Sequence, residues 1–79
     1  MPLRDSAEGA PARSRAGARI TRPDRGIPVR AWIVSRQSGE QLVDGEATAW
    51  TDTQVHVRYL DSHGREGFVW LWASAVTRR

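Results

Sequence analysis

Aromatic side chains offer the clearest chemistry in this sequence, and all six of them lie beyond Gly26. Phe68, Trp70 and Trp72 occupy every second position of one apolar run. In a β-strand, that spacing places all three side chains on one face. Aromatic side chains on a sheet can stack against bases, and they also dominate many protein interfaces. The spacing therefore indicates a binding surface.

Arginine supplies a second kind of binding chemistry. All twelve basic residues are arginine, and the formal net charge is +3. Residues 1–26 hold six arginines against three acidic residues, whereas residues 27–79 hold six against six, so the excess lies at the N-terminus. Guanidinium groups match the geometry of phosphates. Such an uneven distribution is typical of an electrostatic arm.

The sequence contains few residues suited to catalysis or to metal binding. There is no cysteine, and the chain has two histidines, so a zinc site would need carboxylates to complete it. Asp61, Ser62 and His63 have the residue types of a hydrolytic triad, but neighbours in one turn do not converge on a substrate atom. No glycine-rich loop follows a strand and opens a helix. We therefore expect a protein that is not an enzyme and that uses neither a metal nor a cofactor.

Residues 1–26 are predicted to form a disordered, arginine-rich tail. Leu3 and Ile20 are their only large apolar side chains besides Met1, and three prolines and three glycines interrupt any regular element. Such a segment cannot bury enough apolar surface to offset the entropy lost on ordering.

Beyond Gly26, apolar and polar residues alternate at period two, which predicts β-strands. Strands are expected at 29–34, 46–50, 54–60 and 67–72, with a short apolar piece at 42–43 and a last strand around 76–78. Turns are expected at 37–40, 51–53 and 61–64, and a turn or a bulge is expected at 44–45. Short strands at close spacing, without a helical period, are typical of an all-β barrel or sandwich.

The C-terminal part of the chain resembles the end of a known fold. Gly67-Phe68-Val69-Trp70, a short turn and a final strand at Val76 are similar to the closing segment of an SH3-like or Tudor-like barrel. The resemblance covers residues 27–79 and implies a small five-stranded barrel, without implying a function. An OB-like barrel is the alternative, although it usually needs more residues.

Two assignments of the barrel faces are open. In the first, aliphatic side chains form the core and the aromatic side chains form an outer surface. The core would then contain Val29, Ala31, Ile33, Ala47, Ala49, Val55, Val57, Tyr59, Val69, Leu71 and Val76. In the second, the aromatic face is the core, and the tail or the piece at 42–43 covers the aliphatic face. The first assignment exposes a large apolar patch, which usually marks an interaction site.

Two binding functions follow from these features. The first is nucleic-acid binding, to DNA or RNA, in which aromatic side chains stack bases and arginines hold phosphates. The second is protein interaction, either docking onto a larger complex or association of copies through the Trp-rich strand. The candidate residues for either function are Arg13, Arg15, Arg19, Arg22, Arg25, Arg30, Trp32, Trp50, Arg58, Phe68, Trp70 and Trp72.

Composition also predicts where the protein acts. No apolar run approaches the ~20 residues of a membrane span, and no hydrophobic stretch follows the charged start, so we expect no membrane association and no secretory signal. The lack of cysteine fits a reducing compartment. Arginine in place of lysine is typical of a GC-rich bacterial or phage gene. We therefore expect a cytoplasmic protein of that origin.

Overall fold

A computed structural model describes residues 9–35, 39–60 and 64–79. They form one antiparallel sheet of five strands, which are β1 (Ile27–Ser35), β2 (Gly39–Trp50), β3 (Gln54–Leu60), β4 (Glu66–Trp72) and β5 (Val76–Arg78). The order across the sheet is β4-β3-β2-β1-β5. Single turns of 3₁₀-helix at Ala12–Arg15 and Ala73–Ala75 are the only helical pieces in the described residues. The expectation of an all-β fold with five strands is confirmed.

The central strand β2 pairs with two neighbours along its length. Its first part pairs with β1 and its last part with β3. The register with β3 shifts between Ala47 and Ala49. A β-bulge of this kind inserts one unpaired residue, here Thr48, and increases the local twist. A bulged strand also bends, and in β2 this happens where its pairing passes from β1 to β3.

Gly45 allows β2 to contact both neighbours at one point. The predicted turn at Asp44-Gly45 is wrong, because β2 runs through both residues without interruption. Gly45 pairs with Val29 of β1 and with Tyr59 of β3. A Cβ atom at this position would overlap the carbonyl oxygen of Arg58. The glycine is therefore required for close approach of two backbones.

We expect Gly45→Ala to lower the free energy of unfolding by about 1–3 kcal/mol, the usual cost of overpacking. The added methyl group must displace the backbone of β3, which is less yielding than the end of a side chain. Urea unfolding followed by tryptophan fluorescence measures the change. Ser74→Ala, at an exposed position, is the control and should stay within about 0.5 kcal/mol. Equal urea midpoints for the two variants would mean that β2 and β3 lie farther apart at Gly45 than the structure shows.

The core lies on the aliphatic face of the sheet, as the first assignment predicts. The buried hydrophobic side chains are Val29, Ala31, Ile33, Ala47, Ala49, Val57, Tyr59, Val69 and Leu71. Val55 and Val76 are half-buried against the same cluster. The assignment of the aromatic face to the core is wrong, because Trp32, Phe68 and Trp72 are about half exposed.

The bulge reverses the faces of the residues that follow it. Ala49 pairs with His56 on the outer face, whereas Trp50 packs against the core cluster. Ala49 is fully buried, as predicted, although it lies outside the core cluster, whereas the predicted outward position of Trp50 is wrong. One extra residue changes the pairing beyond it, so a strict period of two misplaces Trp50, the last residue of the strand.

Residues 9–22, here called the strap, cross the outer face of the sheet. The Ala10 N–H donates to the Trp70 carbonyl over 2.8 Å, and Thr21 and Trp50 exchange two backbone hydrogen bonds of 2.8 and 2.9 Å. The strap adds no strand to the sheet, in keeping with its composition. Its contacts with β2 and β4 were not predicted, because backbone groups and one arginine make them. Residues 1–8 of the predicted tail lie outside the described residues.

Candidate nucleic-acid interface

Trp32 lies between two shallow grooves on the outer surface. Its side chain is 50% exposed because it alternates along β1 with Ala31 and Ile33, which point into the core. The aromatic groove, of about 320 Å³, is lined by Gly9, Ala10, Pro11, Trp32, Val34, Leu71, Trp72 and Ala75. The basic groove, of about 430 Å³, is lined by Arg30, Trp32, Leu42, Thr77, Arg78 and Arg79. One indole therefore borders both an apolar and a cationic surface.

The basic groove keeps an excess of positive charge. Arg30 Nε lies 3.1 Å from one Asp44 carboxylate oxygen, and Arg79 Nη1 lies 3.7 Å from the other. Arg79 Nη2 also donates to the Gly45 carbonyl over 3.2 Å. Arg78 makes no ion pair with any described residue. One carboxylate, that of Asp44, thus pairs with two of the three arginines, and these exposed pairs leave the cations available to an anion.

Arg78 and Arg79 are binding candidates that the sequence reasoning missed. Arg78 ends the short strand β5 and Arg79 follows it, and the partner of such a strand cannot be read from one sequence. The antiparallel pairing of β5 with β1 places Arg78 opposite Val29, so that the C-terminus runs beside Arg30. A count of the charged residues in the last four positions could have pointed to these two arginines.

Arg58 faces outwards as predicted, but acidic side chains hold it. Arg58 Nη2 lies 2.9 Å from the Glu46 carboxylate, and Nη1 lies 3.9 Å from that of Glu66. These three residues line a separate pocket of about 310 Å³ together with Asp44 and Arg79. A phosphate there would meet three carboxylates and two guanidinium groups. The structure therefore does not bring Arg58 into the basic groove.

Arg15 anchors the strap to the sheet. Its Nη1 donates to Gln54 Oε1 over 2.9 Å and to the Ala10 carbonyl over 3.1 Å. The guanidinium carbon lies 4.5 Å from the centroid of the Trp70 ring, in a cation–π arrangement. Gln54 is fully buried, and a buried amide without hydrogen bonds would be costly. Trp70 is thus covered by a guanidinium group and does not offer that face to a base.

His56 fills the space beside this anchor. Its ring stacks on Phe68 with the centroids 5.8 Å apart, and Nδ1 lies 2.7 Å from Thr48 Oγ1. Burial lowers the pKa of His56 below its ordinary value of 6.5, and the positive charges of Arg22 and Arg15 lower it further. The imidazole is therefore neutral at pH 7, which is compatible with two arginines nearby.

We expect the free energy of unfolding to fall as the pH drops below the ordinary histidine value of about 6.5. The unfolded chain protonates His56 near that pH, whereas the folded chain does so only at lower pH. The unfolded state therefore binds more protons in this window, and acid favours unfolding. Urea unfolding at about pH 7.5 and about pH 5.5 measures the difference, and His56→Gln should reduce it. An equal decrease in the variant would assign the acid sensitivity to other groups.

The remaining candidates occupy different environments. Four arginines of the strap and the segment just after it are exposed and make no ion pair with a described residue, namely Arg13, Arg19, Arg22 and Arg25. Phe68 is 56% exposed and lines neither groove. The structure therefore brings together Trp32, Trp72 and Arg30 from the predicted set.

Comparisons with known proteins found no match for this chain. No family model, curated protein or solved structure matches it. Within residues 9–35, 39–60 and 64–79, no three His, Asp or Glu side chains are grouped so that they could hold a metal ion. The same residues form no helix with the length and apolar character needed to cross a membrane. The two grooves beside Trp32 are the features from which a function can be inferred.

Proposed function

We propose that this chain is a non-enzymatic module that binds single-stranded nucleic acid along the two grooves beside Trp32. The observation that carries the proposal is the half-exposed Trp32 side chain between an aromatic and a basic groove. A base that stacks on an aromatic side chain contributes ~1–3 kcal/mol, judged by alanine substitution. Phosphates next to that base would meet Arg30, Arg78 and Arg79 in the basic groove.

Unpaired strands fit this surface better than a duplex. The bases of a duplex are already stacked and paired, and taking one out costs a few kcal/mol. Trp32 and Trp72 line one shallow groove and supply aromatic surface rather than a pattern of hydrogen-bonding groups. Stacking and phosphate contacts are common to DNA and RNA, so we expect both to bind with little sequence preference.

The exposed arginines of the strap, together with Arg25 just after it, add a longer-range attraction. Arg13, Arg19, Arg22 and Arg25 contribute positive charge without a described carboxylate partner. Neutralising phosphates releases counterions from the strand, so affinity falls as salt rises. The basic arm expected from the sequence would act in this way from a segment lying on the sheet.

We also propose an SH3-like barrel for the fold and the cytoplasm of a bacterial or phage-infected cell for the location. The bent, shared β2 and the 3₁₀ turn between β4 and β5 support the fold. The absence of cysteine and the exclusive use of arginine support the location and origin.

The test is a titration of the full chain with a labelled single strand, a duplex of the same sequence and an RNA strand. Fluorescence anisotropy of the label and tryptophan quenching are followed at two salt concentrations. We expect saturable binding that is tighter for single strands and weaker at high salt. If anisotropy stays constant for all three ligands at the lower salt concentration, the chain does not bind nucleic acid.

Association of two copies is the second candidate function. The observation that favours it is β4, which lies at the edge of the sheet and carries the exposed Phe68 and Trp72. An apolar edge strand is a template for pairing with another chain. Sedimentation at increasing protein concentration tests this candidate, since association would raise the mass with little dependence on salt. A constant monomer mass would exclude it.

A further inference from the structure

We infer that the strap forms one wall of the aromatic groove in which a nucleic-acid strand would bind. Arg15 is the residue that positions this wall. The inference rests on the proposed function, because it concerns the same groove. It changes the role of the N-terminal segment from a flexible basic arm to part of the binding site.

The wall consists of Gly9, Ala10 and Pro11. These residues line the aromatic groove with Trp32 and Trp72. Gly9 and Pro11 are exposed and Ala10 is half-buried, so little apolar burial holds them in place. Removing them would leave the two indoles on an open surface rather than in a groove.

Both backbone polar groups of Ala10 form hydrogen bonds. Its N–H donates to the Trp70 carbonyl over 2.8 Å, and its own carbonyl accepts from Arg15 Nη1 over 3.1 Å. The first bond attaches the wall to β4. The second connects it to a side chain that is itself fixed on the sheet.

One guanidinium group connects three parts of the molecule. Arg15 contacts the carbonyl of Ala10 in the strap, the buried amide of Gln54 in β3 and the ring of Trp70 in β4. The 3₁₀ turn at Ala12–Arg15 brings this side chain back to a residue five positions earlier. A planar guanidinium group can donate in fixed directions while it stacks, which an ammonium group cannot reproduce. Arg15 therefore acts on a bound strand through the wall and not by holding a phosphate.

Arg13 is the matched control for Arg15. It lies in the same 3₁₀ turn and carries the same charge. Its side chain is exposed and makes no ion pair with the described residues. Replacing either arginine by glutamine removes one positive charge, but only Arg15→Gln releases the wall.

The experiment measures the affinity of the full chain and its variants for a labelled oligothymidylate at two salt concentrations. We expect Arg13→Gln to weaken binding modestly, by an amount that shrinks as salt rises. Arg15→Gln should weaken binding about tenfold more, with a difference that persists at high salt because it arises from weaker base stacking. Arg15→Lys should also bind weakly although its charge is unchanged.

Two further measurements separate the wall from the fold. Hydrogen exchange of the Ala10 amide should accelerate in Arg15→Lys while the amides of β3 keep their protection. Pro11→Gly alters the wall while keeping the Arg15 side chain, and it should weaken binding with only a small decrease in the unfolding midpoint. These two variants keep the inference testable even if Arg15→Gln does not fold.

The outcomes distinguish the inference from the proposed function. If the unsubstituted chain fails to bind the oligothymidylate at low salt, the proposed function is wrong and the inference falls with it. If the unsubstituted chain binds, and Arg15→Lys and Pro11→Gly bind as tightly, the function stands and the wall plays no part. Weak binding by both variants together with normal β3 protection supports the inference.

Discussion

Trp32→Ala is expected to weaken binding of a single-stranded oligonucleotide by about 5- to 150-fold, the equivalent of removing one stacking interaction of ~1–3 kcal/mol. The side chain is half exposed and borders both grooves, so its removal takes away the shared wall between them. The fold should survive, because the residue lies outside the core cluster. Anisotropy titrations at fixed salt measure the affinity, and urea unfolding checks the fold.

Phe68→Ala is the matched control for this substitution. Phe68 is also an exposed aromatic residue of the sheet, at 56% against 50% for Trp32, but it lines neither groove. We expect its removal to leave affinity nearly unchanged. Equally weakened binding by both variants would move the stacking surface to the face around β4. If neither variant bound more weakly, bases would not stack at either position.

A chain that begins at residue 23 is expected to have a free energy of unfolding lower than that of the full chain by at least about 2–4 kcal/mol. It lacks a charged hydrogen bond to buried Gln54, worth ~1.5–3 kcal/mol, and a cation–π contact on Trp70, worth ~0.5–1 kcal/mol. It also lacks the two backbone hydrogen bonds between Thr21 and Trp50. Against a total stability of about 5–15 kcal/mol, this is a large fraction. Urea unfolding of both chains measures the difference.

A chain that begins at residue 9 provides the control for this truncation. It keeps every strap contact described above and removes only the first eight residues. We expect its stability to match that of the full chain. If the chain from residue 23 were equally stable, the folded unit would begin at β1, as the composition change at Gly26 predicts. The truncations thus decide where the domain starts.

Much of the sheet could be predicted because alternation is strong where one face is buried. β3 is predicted over its observed range, Gln54–Leu60, since each polar residue is followed by a large apolar one. The sequence pattern predicts β2 as two separate pieces, because a glycine after an aspartate is also what a turn requires. Only the position of β3 shows that the missing Cβ at Gly45 makes room for a carbonyl group.

The candidate site could be predicted in part. Trp32, Trp72 and Arg30 follow from their places in regular strands, and the structure brings them to adjoining grooves. Trp50 turns inwards after the bulge, and a bulge leaves no reliable mark in one sequence. Trp70 lies under the strap, and this contact joins Arg15 to a strand far along the chain. Pairings between distant segments are what a local pattern cannot contain.

The strand order has a consequence for how the protein folds. Three of the four strand pairs join neighbours along the chain, whereas β5 must return to β1 and pair Arg78 with Val29. Closing the longer loop costs more entropy, so this pairing is expected to form late, after the hairpins. The basic groove spans that pair, with Arg30 on one strand and Arg78 on the other. A ligand held there would therefore slow unfolding while leaving the rate of folding almost unchanged.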